Sequence, residues 1–379
     1  MATYLIRRIL QTLLFIAVSI FLLYTLLMYI MPGGPARPDG RGLGLIGPGD
    51  YTYFGLDRPW PQSFGSWLFR PYDLMDVATT GVPAPEGIDV NIGDLRIRGS
   101  GALTGNFEVY SSFFRRPLGA LLGGRWGNTT ALVGAALVLA VVASLVLGVL
   151  AASKPRSTFD HLLTLFSFAG SSIPPFALGM LLILALAVFP VILRYRYNWE
   201  WLPALPPGGT NAIDRDDLLN RVYYMVLPVT TLALAQVVWL SRYVRAAMLE
   251  VLGEEYIRTA LAKGVARRRV LLKHALRNAV IPFITAAGLA IPGLLSSSIV
   301  VETLFALNGI GQTYYVALGG CIPVPNVREC PPFGAGPDVP VALVLTCVFV
   351  VLVAFSNMLA DLLHVAVDPR ISYSSKLKL

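Results

Sequence analysis

The sequence predicts an all-α polytopic membrane protein with about six transmembrane helices, and three observations carry that prediction. The chain is 55% hydrophobic and only 14% charged, whereas a soluble protein carries about 25% charged residues. Several apolar stretches approach or exceed the ~20 residues that a helix needs to cross a bilayer. All five lysines fall on one side of the alternating topology that those stretches imply, as expected when basic residues collect on the cytoplasmic face.

The first stretch runs from Ile9 to Met31, so residues 1–31 form an N-terminal transmembrane helix. Its apolar run exceeds the ~7–15 residues of a secretory signal core, and Met31-Pro32-Gly33-Gly34 is a poor cleavage site. Residues 32–128 follow as a long extracytoplasmic loop or subdomain rich in Gly, Pro, Arg and aromatics. Within it Phe64, Trp67, Leu68 and Phe69 lie on one face of a short helix, and Phe107 to Arg116 reads as a strand or a second short helix. Residues 129–370 hold the other five spans: Thr129–Ala152, one within Leu162–Leu193, Val222–Leu240, Ala279–Val301 and Val339–Ala360. The third stretch is longer than one crossing requires. Ser172-Ile173-Pro174-Pro175 breaks it and makes its first part a helix at the interface. Pro228, Pro282 and Pro292 mark positions where spans bend or carry a fixed kink. Residues 371–379 are a cytoplasmic tail.

Charge orients these spans. Arg7 and Arg8 precede the first and place the N-terminus in the cytoplasm, so Lys154, Arg156, the segment Arg242–Arg277 and Lys376 and Lys378 also lie inside. Arg242–Arg277 alone holds nine Lys or Arg. The formal charge of +8 thus reflects topology and contact with anionic lipid. Nucleic-acid binding is disfavoured, because the basic residues lie near span ends and are not set among stacking aromatics.

The cytoplasmic segment 250–277 contains a short amphipathic helix. Ile257, Ala260, Leu261, Gly264 and Val265 fall at i, i+3, i+4, i+7 and i+8 and make one apolar stripe. Glu254 and Glu255 suit the first turn and Lys263 the last, by the helix dipole. Gly264 stands where a left-handed closing residue is needed. A helix of about three turns is marginal in water without packing. It either packs on its own bundle or fits a groove on a partner, and the local pattern favours neither.

Several chemistries lack their residues. The chain has no G-x-x-x-x-G-K-[ST] loop, no G-x-S-x-G elbow and no H-E-x-x-H helix. The three histidines are scattered and no Cys/His spacing suggests a metal site. Ionisable residues inside the spans are nearly absent, which argues against an ion-coupled carrier. Glu302 and Asp361 sit at span ends, where each is expected to make a local cap or hydrogen bond. Cys347 reads as a small core residue. Cys321 and Cys330 flank the turn-rich run Ile322-Pro323-Val324-Pro325-Asn326 in an outer loop, and an oxidising compartment would allow them to bridge.

Glu255-Tyr256-Ile257-Arg258-Thr259-Ala260, Ala262-Lys263-Gly264, then Arg269 to Ala279 and Pro282 together resemble the cytoplasmic coupling segment of ATP-binding-cassette importer permeases, in the form of the dipeptide/oligopeptide (and nickel) family. Tyr4-Leu5-Ile6-Arg7-Arg8 with Pro32-Gly33-Gly34-Pro35, Gly55 to Pro59, Ser172-Ile173-Pro174, Val301 to Phe305 with Gly309-Ile310-Gly311, and Asp361-Leu362-Leu363 with Asp368-Pro369-Arg370 extend the resemblance along most of the chain. It departs from the general pattern where Arg258-Thr259-Ala260 replaces Glu-Ala-Ala, where Leu276-Arg277 replaces a Leu-Pro, and in the long 32–128 loop and the Cys321–Cys330 insertion.

The resemblance implies a type I importer permease fold in a prokaryotic inner membrane, with both termini cytoplasmic. Its implied partners are a second, homologous permease, two ATPase subunits and an extracytoplasmic substrate-binding protein, set in membrane lipid. It implies no enzyme activity and no cofactor on this chain, with ATP and Mg on the partner ATPases. Glu255, Tyr256, Ile257, Arg258, Ala260, Leu261, Lys263 and Gly264 would couple to an ATPase. The apolar face of Ile257, Ala260, Leu261 and Val265 would enter its groove, with Arg258 and Lys263 at the rim. Glu302, Phe305, Gly309 and Gly311 form a candidate outer gate, or else a plain interfacial turn. Peptides are the implied substrate. Nickel chelates, glutathione or oligosaccharides are same-fold alternatives, and a stand-alone channel, an exporter or an intramembrane enzyme are alternatives of other classes.

Overall fold

The computed structural model describes residues 2–30, 62, 64, 89–92, 95–98, 118–209, 218–324, 327–329 and 338–367. Among these are six helices long and apolar enough to cross a membrane: Ile6–Leu26, Leu121–Ser153, Pro175–Tyr197, Leu219–Leu252, Arg267–Leu304 and Val341–Leu362. Each overlaps a span expected from the sequence. Large apolar side chains such as Leu14 (66% exposed) and Val138 (64%) lie open on these helices, a surface suited to lipid or neighbouring helices rather than water. Trp67 to Phe69, Phe107 to Arg116, most of the loop 32–128 and the tail 371–379 fall outside the described residues.

The chain divides into two units. The first comprises Met1–Leu13, Asn128–Gly311 and Val351–Leu379, and the second comprises Leu14–Gly127 and Gln312–Val350. Helices α1 (Ala2–Ile30) and α12 (Val339–Val367) carry the first and sixth spans. In the second unit Phe64 sets its ring against Phe21 and Tyr24, with centroids 5.2 and 5.3 Å away. Helix α2 (Leu118–Gly123) lies there too. Strands β1 (Asp89–Ile92) and β2 (Leu95–Arg98) form an antiparallel hairpin, and β3 (Ile322–Val324) pairs with β4 (Val327–Glu329). These two hairpins, absent from the sequence-based expectation, lie outside the spans. Cys321, just before β3, is disulfide-bonded, while Cys347 is free. Cys330 lies outside the described residues. Asp338 caps the sixth span, accepting from the Val341 N–H at 3.5 Å in the manner of an N-cap carboxylate.

The second span carries a stripe of small residues. On α3 (Trp126–Ser153), Ala136, Ala140, Ser144, Gly148 and Ala152 recur every fourth residue and are all buried. Such a row lets two helices approach closely. At Gly148 it meets α7 (Leu218–Leu252). A Cβ on Gly148 would stand 2.5 Å from Val244 Cβ and 2.8 Å from the Ser241 carbonyl oxygen.

The third stretch is divided as its prolines predict. Helix α4 (Thr158–Ser171) ends before Pro174, and α5 (Pro175–Ile183) starts with proline in its first turn, where no N–H is missed. A π-turn over Leu184–Val188 then leads into α6 (Phe189–Tyr197). Pro190 explains the turn: it offers no N–H to the Leu186 carbonyl one turn back. That carbonyl instead accepts from the Leu205 N–H at 2.9 Å, which ties the following loop to the span. Asn198, left-handed at φ 57°, closes α6. Pro228 in α7, and Pro282 and Pro292 in α10 (Leu276–Leu304), all lie inside continuous helices.

Gly148→Val tests the close crossing of α3 and α7. Overpacking of this kind costs about 1–3 kcal/mol, so the purified variant should melt below the parent in detergent. Gly134→Ala, where nothing lies within 4 Å, should melt at or above it.

Candidate functional site

The segment between the fourth and fifth spans begins directly after α7. Helix α8 (Glu255–Ala262) has eight residues, so it makes about two turns rather than the three expected. Its close is a Schellman motif. The Gly264 N–H donates to Leu261 O at 3.0 Å and the Val265 N–H to Ala260 O at 3.2 Å, and Gly264 has φ 78°. The left-handed close foreseen at Gly264 is therefore present. A Cβ there would meet nothing within 4 Å, so conformation rather than space requires glycine.

The apolar stripe is used inside the chain. Ile257 is 1% exposed, belongs to the main buried core, and has Ala260 and Val265 packed against that core. Ile257 is therefore taken up by the chain's own core rather than open to a partner's groove, while Ala260 and Val265 are half-buried against that core; this packing holds a two-turn helix together. Leu261, the fourth member, is 46% exposed. With Glu255, Tyr256, Arg258, Thr259, Ala262 and Lys263, all exposed, it forms the face that α8 leaves open. Asn278 Nδ2 donates to the Tyr256 hydroxyl at 2.6 Å, fixing α8 to the start of α10. The chain reaches α10 through α9 (Arg267–Arg269) and a π-turn over Val270–Ala275. Arg267 donates to the Ser153 carbonyl at 3.1 Å, at the end of α3.

Two ion pairs stand at this same basic end. Arg8 meets Asp361, so in place of a local cap Asp361 makes a hydrogen-bonded ion pair with an arginine from the first span. Arg245 near the end of α7 forms a two-point pair with Asp160 in the first turn of α4, the second contact being Nη2 to Oδ2 at 2.7 Å. Asp160 is 2% exposed, and Oδ2 also accepts from the Arg156 N–H at 2.9 Å. The Arg245 guanidinium holds the Asp160 carboxyl below its ordinary range, against the burial that raises it. Sequence reasoning missed this pair. One signal marked the carboxylate but not its partner: Ser157-Thr158-Phe159-Asp160 is a helix-start capping pattern, and Ser157 Oγ accepts from the Asp160 N–H at 3.3 Å.

The second cluster lies at the far end of α10, about 38 Å from Arg277 at 1.5 Å per residue. Glu302 and Phe305 are 1% and 0% exposed. The Thr129 hydroxyl donates to Glu302 Oε1 at 2.8 Å and accepts from the Ile310 N–H at 2.9 Å. One side chain on the second span thus joins the end of the fifth to the start of α11 (Ile310–Ala317). The α10 terminus is another Schellman close, with Leu307 N–H to Glu302 O at 2.8 Å and Ala306 N–H to Thr303 O at 3.3 Å. Here alanine takes the left-handed place, at φ 49°. Gly309 and Gly311 complete the cluster for want of space. A Cβ on Gly309 would overlap the Glu302 carboxylate and lie 2.7 Å from Thr129 Oγ1, and one on Gly311 would lie 2.6 Å from Ile299 Cα. The Phe305 carbonyl accepts from the Gly209 N–H at 2.9 Å. Glu302, Phe305, Gly309 and Gly311 are therefore brought together as a packed, hydrogen-bonded knot.

Tyr314 packs on Phe349 with centroids 5.7 Å apart, whereas Tyr315 is 38% exposed.

Gly309→Ala should lower the melting temperature in detergent by more than Gly127→Ala, a position with nothing within 4 Å. The Gly309 change displaces a buried carboxylate from its hydrogen bond, at a cost of about 1–3 kcal/mol. Equal melting temperatures for the two variants would show that the knot is loose.

A family model described as binding-protein-dependent transport system inner membrane component matches residues 144–373, which contain the segment 250–277 and Glu302, Phe305, Gly309 and Gly311 but not Thr129. The oligopeptide transport system permease protein AppB of Bacillus subtilis is 37% identical over 68% of this chain and 73% of its own length. The dipeptide transport system permease protein DppB of Escherichia coli is 36% identical over 66% of this chain and 72% of its own. The oligopeptide transport system permease protein OppB of Mycobacterium tuberculosis is 29% identical, but over 99% of this chain and all of its own length. Six helices able to cross a membrane and this match over more than half of its length place the chain: it is a multi-pass membrane protein of the family of inner-membrane components of binding-protein-dependent transport systems.

Proposed function

We propose that this chain is the permease subunit of an ATP-driven importer of peptides, and that α8 is the element through which partner ATPases drive it. The observation that carries the reading is the division of α8 into two faces. Ile257 is sealed into the chain's own core, while Leu261, Tyr256, Arg258 and Lys263 remain exposed. A helix held so firmly on one side transmits a push received on the other. Leu261 supplies the apolar centre of the contact and Arg258 and Lys263 its charged rim, the usual division of a protein–protein interface.

The ATPases would hold the nucleotide and Mg, and this chain would hold neither. ATP binding would draw the ATPases together, and α8 would follow. Because α7 and the segment leading to α10 adjoin α8 directly, the fourth and fifth spans would move with it. The two states of the pore would then be populated according to which one the ATPases contact better. A second, homologous permease would complete the pathway, and an extracytoplasmic binding protein would deliver substrate to the end carrying Glu302. Both termini would lie in the cytoplasm, as the Arg7-Arg8 pair and the basic segment Arg242–Arg277 suggest. Peptide as substrate follows from what the similar permeases are named for.

Leu261→Asp places a charge on the open face and leaves Ile257 in place. In proteoliposomes with the partner subunits and binding protein, it should reduce ATP-dependent peptide uptake at least about tenfold, an interface loss of 1.4 kcal/mol or more. Its melting temperature should match the parent's. Ile257→Asp should instead lower the melting temperature of the isolated chain. Normal uptake by Leu261→Asp would remove α8 from the coupling route.

A further inference from the structure

We propose that Asp160 is a positioning residue that carries the movement of α8 to the third span, by locking α4 to the end of α7. The inference rests on α8 being the driven element, and it adds a third span to the fourth and fifth that α8 adjoins in sequence.

The mechanical path has little slack. Only Gly253 and Glu254 separate α7 from α8, and their N–H groups are already bonded, to Glu250 O at 3.0 Å and Val251 O at 3.1 Å. A shift of α8 therefore reaches the last turns of α7. There Arg242 and Arg245, three residues apart on one helical face, both reach α4. Arg245 takes Asp160 at the start of α4 through the two-point pair. Arg242 takes the other end: its guanidinium lies 4.8 Å from the centroid of Phe168, and its Nη2 lies 3.4 Å from Ser171 Oγ. Between these ties α4 lies close on α7, where a Cβ on Gly170 would stand 2.8 Å from Val238 Cγ2.

Helix α4 continues into the third span through three residues that are also held. Ser172 N–H donates to Ala169 O at 3.2 Å, Ile173 N–H to Gly170 O at 3.3 Å, and Leu178 N–H to Pro174 O at 3.1 Å. Asp160 is the critical link. Its carboxylate is buried, bonds Arg245 at both oxygens, and takes the Arg156 N–H as well. A planar two-point pair fixes orientation as well as distance, which a lever requires and a simple apolar contact does not supply.

Asp160→Asn keeps the shape and removes the charge. In the assembled complex it should leave ATP hydrolysis within about twofold of the parent. It should raise the ATP consumed per substrate imported at least about tenfold, within the 5–150-fold span of typical coupling energies. The swap Asp160→Arg with Arg245→Asp should recover part of the loss. Arg242→Gln, which cuts the tie at the other end of α4, should shift the same ratio and provides the test if Asp160→Asn fails to fold. An unchanged ratio in the variants that fold would overturn the proposal. So would hydrolysis and uptake falling in equal proportion with a lowered melting temperature, since that is the signature of a purely structural pair. Leu261→Asp, run alongside, separates the two levels. If it remains fully coupled, α8 is not the driven element; if it is uncoupled while Asp160→Asn is not, only the lever fails.

Discussion

The burial of Ile257 decides what α8 is able to offer to anything else. Sealing this side chain from solvent is worth roughly 1.5–3 kcal/mol, a large amount for a helix of eight residues that is marginal alone. Ala260 and Val265 follow it onto the core, and Gly264 turns the chain so that Val265 is able to do so. The open face, with Leu261 at its centre, exists because the opposite face is occupied. A helix that spent its apolar stripe on a partner would be loose whenever the partner was absent. One that spends it at home keeps a fixed shape for the partner to meet.

Two knots bracket the fifth span, and both depend on the same backbone device. At one end the Schellman close uses Gly264, and at the other Ala306 accepts the left-handed conformation, which costs an alanine about 1–2 kcal/mol. The second knot sustains that cost because it is over-determined: Glu302 bonds Thr129, Leu307 bonds the Glu302 carbonyl, and Gly309 and Gly311 let the backbone close in. Strain at one residue held by several neighbours is characteristic of positions where a structure must keep one conformation. Within the first unit the spans are thus tied at both ends of α10, while α3 and α7 meet closely at Gly148.

Much of this was legible in the residues, and the part that was not has a physical reason. The spans were readable because lipid demands long apolar helices. The break at Ser172–Pro175 was readable because proline removes an N–H, and Gly264 because few residues close a helix left-handed. The destination of the Ile257 stripe was not readable: packing at home and docking abroad require the same periodicity. The partners of Asp160 and Glu302 were hidden by distance along the chain, since Arg245 and Thr129 lie 85 and 173 residues away. The capture of the Leu186 carbonyl by Leu205 was hidden for a related reason. Pro190 announces that a carbonyl is released, but nothing local says what takes it. Glu302, Phe305, Gly309 and Gly311 were singled out together, yet their packing into a knot around Thr129 appears only in three dimensions.

The most direct test is cysteine accessibility on the two faces of α8. Leu261→Cys and Ile257→Cys, each in a Cys347→Ser background, would be exposed to a soluble maleimide in membranes with and without the partner ATPases. The two-faced helix predicts that the cysteine at 261 reacts quickly when the ATPases are absent and is protected when they are bound, while the cysteine at 257 stays unreactive in both. Rapid labelling at 257, or labelling at 261 that ignores the ATPases, would contradict it.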